Sequence, residues 1–250
     1  MGDANWQSTK WLVGLYPIGM CGRFVQAVEK KKLEQRFDVT VPEQAVLTPR
    51  YNLAPGQGAA VITAGERSPR LEFCVWGLVP SWTKDVRTGY KMINARVETL
   101  WEKASFKNPL RYRRCLVPAN GFYEWRKEPG RTQKIPMYFT VEDAPLFSFA
   151  GLWEIWNDRD GGELYSFTLI TRAANSFVKP YHHRMPLILR EDQETDWLNH
   201  SLYRPDDLQD ILAGGADIAL KAYPVSTRVN HVVNDDPECI RPILEQSDLL

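Results

Sequence analysis

Four residues with side chains suited to nucleophilic and proton-transfer chemistry stand in short, unusual contexts. Cys21 lies in MCGRF (20–24), Asn94 in INARVET (93–99), Glu124 in PANGFYEW (118–125) and His182 in YHHRMPLIL (181–189). Singly, each has an ordinary structural explanation. A lone cysteine is usually a small buried hydrophobe, and an asparagine before a helix is an N-cap. Glu124 between aromatics reads as an edge-strand charge, and His182 as a hydrogen-bonded core histidine. Together they supply a thiol, an amide, a carboxylate and an imidazole, a set able to hold a nucleophile and move protons around it.

Cysteine after methionine has a particular consequence if Met20 is an initiator that is removed. Cys21 then carries a free α-amino group, whose pKa is about 7.7–8.0 against about 10.4 for lysine. That gap of about 2.5 units leaves it roughly two to three hundred times richer in free base near neutral pH. A neutral amine attacks an aldehyde to give a Schiff base. The thiol of the same residue can close onto the imine carbon, forming a five-membered thiazolidine. A thiol alone gives only a labile hemithioacetal, and an amine alone a hydrolysable imine.

The 250-residue chain, 44% apolar, is long enough for a real core. No run of eighteen apolar residues is present, which excludes a membrane-spanning helix. Cys21, Cys74, Cys115 and Cys239 lack metal-site spacing and read as free thiols, and no metal or organic cofactor is expected. Net charge is zero, yet residues 84–134 hold 13 Lys/Arg against 5 Asp/Glu. That basic stretch, rich in Trp and Tyr, has the composition that holds single-stranded nucleic acid through phosphates and stacking.

The stretch 26–37 places Val28, Leu33 and Phe37 on one face and predicts a surface helix. Further helices are expected over about 94–104, 191–199 and 205–213, the last opened by Pro205. Strand-like runs occupy 59–63, 71–77, 114–119, 137–141, 147–153 and 164–171. Strands outnumber helices and do not alternate with them. The expectation is an α+β fold on a mainly antiparallel twisted sheet flanked by helices; a barrel-like closure fits the pattern without being dictated by it.

The motifs MCGRF, RYNLAPGQ (50–57), INARVET, GFYEW and HHRMP occur together and in one order. In this the chain resembles the SRAP (SOS-response-associated peptidase) family, from about Met20 to about residue 245. The resemblance implies a thiazolidine crosslink between an N-terminal cysteine and the ring-opened sugar of an abasic site in single-stranded DNA, which shields the lesion. It also implies self-processing that removes the initiator methionine, with peptidase- or lyase-type activity.

Carried onto this sequence, Cys21 is the nucleophile and Asn94 positions its amine or the sugar. Glu124 assists proton transfer, and His182 protonates the sugar ring oxygen. His183 could take the place of His182. Arg23, Arg96 and Arg184 are the expected phosphate contacts, with Asn52, Trp82 and Trp125 lining the groove. Lys103, Lys107, Arg111, Arg113 and Arg114 would add diffuse attraction, although Arg113 and Arg114 also read as strand-end residues.

A thiazolidine needs Cys21 at a chain start. Residues 1–19 are therefore expected to be a non-native or misassigned extension, with 20–250 a single domain. A monomer in the cytoplasm suits such a protein. Two other N-terminal or thiol chemistries fit part of the pattern. A class II glutamine amidotransferase also begins Cys-Gly but has no place for GFYEW or HHRMP. A thiol peptidase could use Cys21, His182 and Asn94. A non-covalent single-stranded-DNA binder is the third possibility, and it alone would tolerate loss of the thiol.

Overall fold

The computed structural model describes residues 22–130, 132–158, 160–215 and 217–243. The chain opens with β1 (Phe24–Gln26), α1 (Lys30–Phe37), β2 (Arg50–Leu53), β3 (Gly58–Thr63) and β4 (Arg70–Trp76). After β5 (Asn94–Arg96) and α2 (Ala104–Tyr112) come β6 (Arg114–Ala119), β7 (Gly121–Arg126) and β8 (Ile135–Val141). The long strands β9 (Phe147–Asn157) and β10 (Glu163–Ala173) follow, then β11 (Arg184–Pro186) and β12 (Ile188–Leu189). Helices α3 (Glu191–Leu198) and α4 (Pro205–Ala213) lead to β13 (Leu220–Pro224).

Strands β10, β4, β3, β6 and β9 pair in that order, and β9 pairs again with β10, so five strands close into a barrel. Only the β10–β4 contact of that ring is parallel. A second, open sheet runs β13-β8-β7-β1-β2 and is antiparallel throughout. The expected α+β, barrel-like architecture is what the chain adopts.

Period-two alternation sorts the barrel side chains into two cores. Ala59, Val61, Cys115, Val117, Phe149, Phe167 and Leu169 face inward, where they meet Phe24 and Phe122 of the open sheet. Ala60, Ile62, Leu116, Ala150, Leu152 and Ile170 face outward and are covered by all four helices through Leu33, Leu110, Trp197 and Leu208. With both faces buried, these strands read as continuous apolar runs rather than alternating ones. A third cluster, Val25, Tyr123, Tyr138, Val225, Val229 and Cys239, covers the outer face of the open sheet. Cys74, Cys115 and Cys239 are free and buried.

Two expected helices begin elsewhere. The first starts at Lys30 because Phe24–Gln26 is drawn into β1. Buried Gln26 closes the join, accepting from Ala60 N and donating to the carbonyls of Ala60 and Pro118 at 2.8–2.9 Å. Val28, Leu33 and Phe37 do reach one core. The helix expected over 94–104 is replaced by strand β5, a 3-10 turn over Val97–Thr99, and α2 beginning at Ala104. Here the free edge of β10 captures Asn94–Arg96 as a parallel partner, and tertiary pairing overrides local helix preference.

Gly151 sits in β9 where β6 and β10 both pair with it. A Cβ there would lie 2.8 Å from Cys115 Sγ and 2.9 Å from Val117 Cγ2, inside the barrel. Overpacking of this kind costs about 1–3 kcal/mol. Gly151→Ala should lower the melting temperature by about 2–12 °C, at roughly 2–4 °C per kcal/mol for a chain of this size. A thermal scan of the two proteins checks this, and an unchanged midpoint would mean that the barrel interior has slack at β9.

Candidate active site

The open sheet brings the start of the described chain to Glu124. In β1, Phe24 lies opposite Phe122 and Val25 opposite Gly121. Tyr123 N–H donates to Arg23 O at 3.0 Å, continuing the ladder one step toward Gly22. Cys21 itself lies outside the described residues. Glu124, next along β7, is only 4% exposed. A carboxylate so far from water needs polar company, and one neighbour is His182, whose Nδ1 is 3.9 Å from Glu124 Oε1. That separation suits an ion pair when the imidazole is protonated and is too long for a hydrogen bond.

His182 is reached through the loop that follows β10. Its backbone N–H bonds Val178 O at 3.0 Å, and His183 O accepts from Ala174 N. Arg184 N–H donates to His182 Nδ1 at 3.1 Å, and Arg184 O is also 3.1 Å from that nitrogen. The N–H is the partner of a ring with its proton on Nε2; the carbonyl is the partner of a ring protonated at Nδ1. One residue therefore offers a partner to Nδ1 with or without its proton. His183, stacked at 4.4 Å between ring centroids, is exposed. Its imidazole is pushed below the ordinary value chiefly by the His182 charge, with smaller contributions from desolvation, Arg184 and Arg96.

Asn94 belongs to β5, which lies against β10 with Asn94 opposite Leu169 and Arg96 opposite Thr171. It is therefore a strand residue and caps no helix. The other edge of the β10 C-terminus carries β11, with Ala173 opposite Arg184. Arg184 crosses β10 to Glu98, Nη1 to Oε1 at 2.5 Å and Nη2 to Oε2 at 2.9 Å. Its Nη2 also donates to Thr171 O at 2.6 Å. This fork holds the Glu98 carboxyl below its ordinary value.

The expected groove residues fall into two groups. Arg96 and Trp82 are exposed, Trp82 by 65%. Trp125 is half-buried, with its indole N–H on Asn230 Oδ1 at 2.8 Å. Arg23 and Asn52 are instead tied to each other. Arg23 Nη1 donates to Asn52 Oδ1 and to Val229 O, both at 2.8 Å. Desolvation pulls its guanidinium below the ordinary pKa. Asn52 is fully buried, and its Nδ2 lies 2.8–3.1 Å from the carbonyls of Val229, His231 and Asn234. It touches a bound strand only through what it positions. Arg113 pairs with Glu154. Arg114 departs from the expected surface role: it is buried, with its guanidinium on the carbonyls of Leu110, Trp197 and Asn199.

Glu98, Thr171 and Asp235 were not legible as site-building residues. Asp235 accepts from Asn52 N–H at 2.8 Å and pairs with Arg50, fixing the turn that Asn52 holds. Thr171 and Asp235 fall in none of the motifs above, and Glu98, although within INARVET, has its partner Arg184 86 positions away. Among the described residues, no group of His, Cys, Asp and Glu side chains is arranged to hold a metal. No described helix is long and apolar enough to cross a membrane.

The profile of the SOS response associated peptidase (SRAP) family matches residues 20–232. The chain belongs to the SRAP family. It is 43% identical over 223 residues to the abasic site processing protein YoqW of Bacillus subtilis, covering 88% of this chain and 99% of that one. It is 35% identical over 225 residues to the abasic site processing protein HMCES of Gallus gallus, covering 78% of this chain and 66% of that one. A crystal structure of a Bacteroides thetaiotaomicron protein superposes with a TM-score of 0.78 at 30% identity, covering 90% of this chain and all of the other. The SRAP match includes Arg23, Asn52, Asn94, Glu124, His182, Arg184 and Asn230, while Asn234 and Asp235 lie just beyond it.

The Glu98–Arg184 pair has a pH signature. A carboxyl whose folded pKa is depressed stabilises the fold above its unfolded value, and that contribution disappears as pH falls through the folded value. The ordinary value is 4.5. Arg184→Met should therefore unfold at lower urea than the parent at neutral pH, and the gap should narrow once pH drops below about 4.5. Urea midpoints from pH 7 to 3 check this; a constant gap would assign the loss to packing alone.

Proposed function

We propose that this chain processes abasic sites in single-stranded DNA by becoming covalently joined to them through Cys21. The observation that carries the reading is the buried Glu124 carboxylate beside His182, at the end of the strand pair that leads to Gly22. Gly22, the first described residue, directly follows Cys21 in the sequence. Membership of the SRAP family and the names of its relatives favour the same substrate.

The chemistry assigns each group a step. The closed sugar at an abasic site opens when His182 gives a proton to its ring oxygen, the ring C1′–O bond breaks and the C1′ hydroxyl loses its proton to water, exposing the C1′ aldehyde. The α-amine of Cys21 adds to that carbon, and the resulting carbinolamine loses water to become an imine. Glu124 takes the amine proton and passes it to the departing hydroxyl. The Cys21 sulfur then adds to the imine carbon while its proton goes to nitrogen, closing the thiazolidine. The balance is protein plus DNA minus one water. Asn94 orients the amine or sugar, Arg96 is the exposed phosphate contact, and Trp82 and Trp125 are flat surfaces for unstacked bases. Arg23 and Asn52 shape the wall behind them, and Arg184 acts beside His182.

A protein used once per lesion needs no second copy, which favours a monomer. The reaction requires a free amine, so it also requires a chain that starts at Cys21. Self-processing ahead of Cys21 would employ the same thiol and imidazole.

Intact-mass spectrometry tests the reading. A chain verified to start at Cys21 is incubated with an oligonucleotide holding one abasic site, and with a control holding an ordinary base. The expected product is protein plus oligonucleotide minus one water, with the abasic strand only. Cys21→Ala keeps the amine but lacks the thiol, and should give an adduct only when borohydride traps the imine. Glu124→Gln and His182→Ala should each slow adduct formation by about 10²–10⁴-fold, the range for a positioned acid or base. Absence of any adduct from the verified chain would overturn the crosslinking reading in favour of a thiol peptidase.

A further inference from the structure

The Arg184–Glu98 contact is unusual in its setting. Arg184 is 7% exposed, and the two residues are 86 positions apart. The guanidinium passes over fully buried Thr171 in β10, taking its carbonyl at 2.6 Å. Glu98 lies in the turn directly after β5, the strand that carries Asn94. Arg184 heads β11, and its own N–H and C=O are the groups that hold His182 Nδ1. The pair therefore spans β10 from the element of Asn94 to the element of His182.

We infer that Glu98 is a positioning residue for His182, acting through Arg184, and that their bidentate contact across β10 sets the spacing between the imidazole and Asn94. The inference rests on the crosslinking reading for its kinetic consequence, though not for its structural one. Two physical features support it. Strand β11 is only three residues long, so ladder bonds alone hold it weakly. A bidentate fork onto a carboxylate fixes direction as well as distance, which a single bond does not. Glu98 also matches the Arg184 charge beside the two imidazoles, of which His183 is already pushed down by its neighbours. Removing the carboxylate would take away the charge partner that Arg184 has in Glu98. Misplacement of a reacting group by about 1 Å can cost about 10²-fold in rate.

The test compares Glu98→Ala with Glu98→Gln. Both remove one negative charge near the DNA path, while Gln keeps an acceptor oxygen for Arg184. Each is measured for crosslinking rate at saturating abasic oligonucleotide and for the ¹⁵N resonances of the His182 imidazole without DNA. Glu98→Ala should be slower by about 10- to 100-fold and should shift the His182 resonances. Glu98→Gln should stay within a few-fold of the parent rate, with little shift. Equal rates in the two variants, with His182 unmoved in both, would overturn the inference and leave Glu98 as a surface charge. If the parent forms no adduct, the crosslinking reading falls by itself, and the His182 resonances alone decide whether Glu98 positions the ring.

Discussion

Strand β10 has two hydrogen-bonding edges, and each is divided between successive partners. One edge is parallel to β4 at Ser166–Phe167 and then to β5 at Leu169–Thr171. The other is antiparallel to β9 as far as Leu169 and then to β11 from Thr171 to Ala173. Buried backbone groups must be paired, so an eleven-residue strand placed between two layers of core obliges four other segments to meet along it. The barrel closes because of this, and the elements bearing Asn94 and His182 come to lie on opposite edges of one strand.

The second sheet contributes the acidic side of the site by the same logic. Strand β1 is short and sits between β2 and β7, with Phe24 packed into the barrel core and Val25 into the outer cluster. Alternation along β7 continues this division: Phe122 belongs to the barrel core, Tyr123 to the outer cluster, and Trp125 packs with the outer one. Glu124, on the Phe122 side of the strand, is buried beside His182, while Trp125 turns to Asn230. Adjacent residues thus serve opposite faces of the sheet. One presents a buried carboxylate and the other a half-buried indole.

Part of the arginine charge is internal. Arg23, Arg114 and Arg184 all terminate on protein carbonyls, amides or carboxylates. A guanidinium offers five donors in a fixed plane, so it can join segments that a lysine would leave apart. In a fold with few helices and many non-local pairings, such groups tie the loops that the sheets do not reach. Of these three only Arg114 belongs to the basic stretch 84–134, where Lys84, Arg87, Lys91, Lys103 and Lys107 stay exposed, and Arg96 is the arginine at this site that does so.

The sequence by itself determined the chemical inventory: a cysteine after methionine, an amide, a carboxylate and an imidazole in motifs that keep one order. It also determined the strand-rich α+β class, because period-two alternation and apolar runs are local properties of neighbouring residues. The strands over 59–63, 71–77, 114–119, 137–141, 147–153 and 164–171 all formed for that reason. What only the tertiary structure decided is which of those groups meet. Glu124 beside His182, Arg184 on Glu98, and Arg23 on Asn52 join residues widely separated along the chain, and no local spacing encodes their distance. The same holds for Asn94, whose strand exists because β10 had an edge to fill. Local sequence sets what each segment can pair with; the need to satisfy every buried backbone group sets the partner it receives.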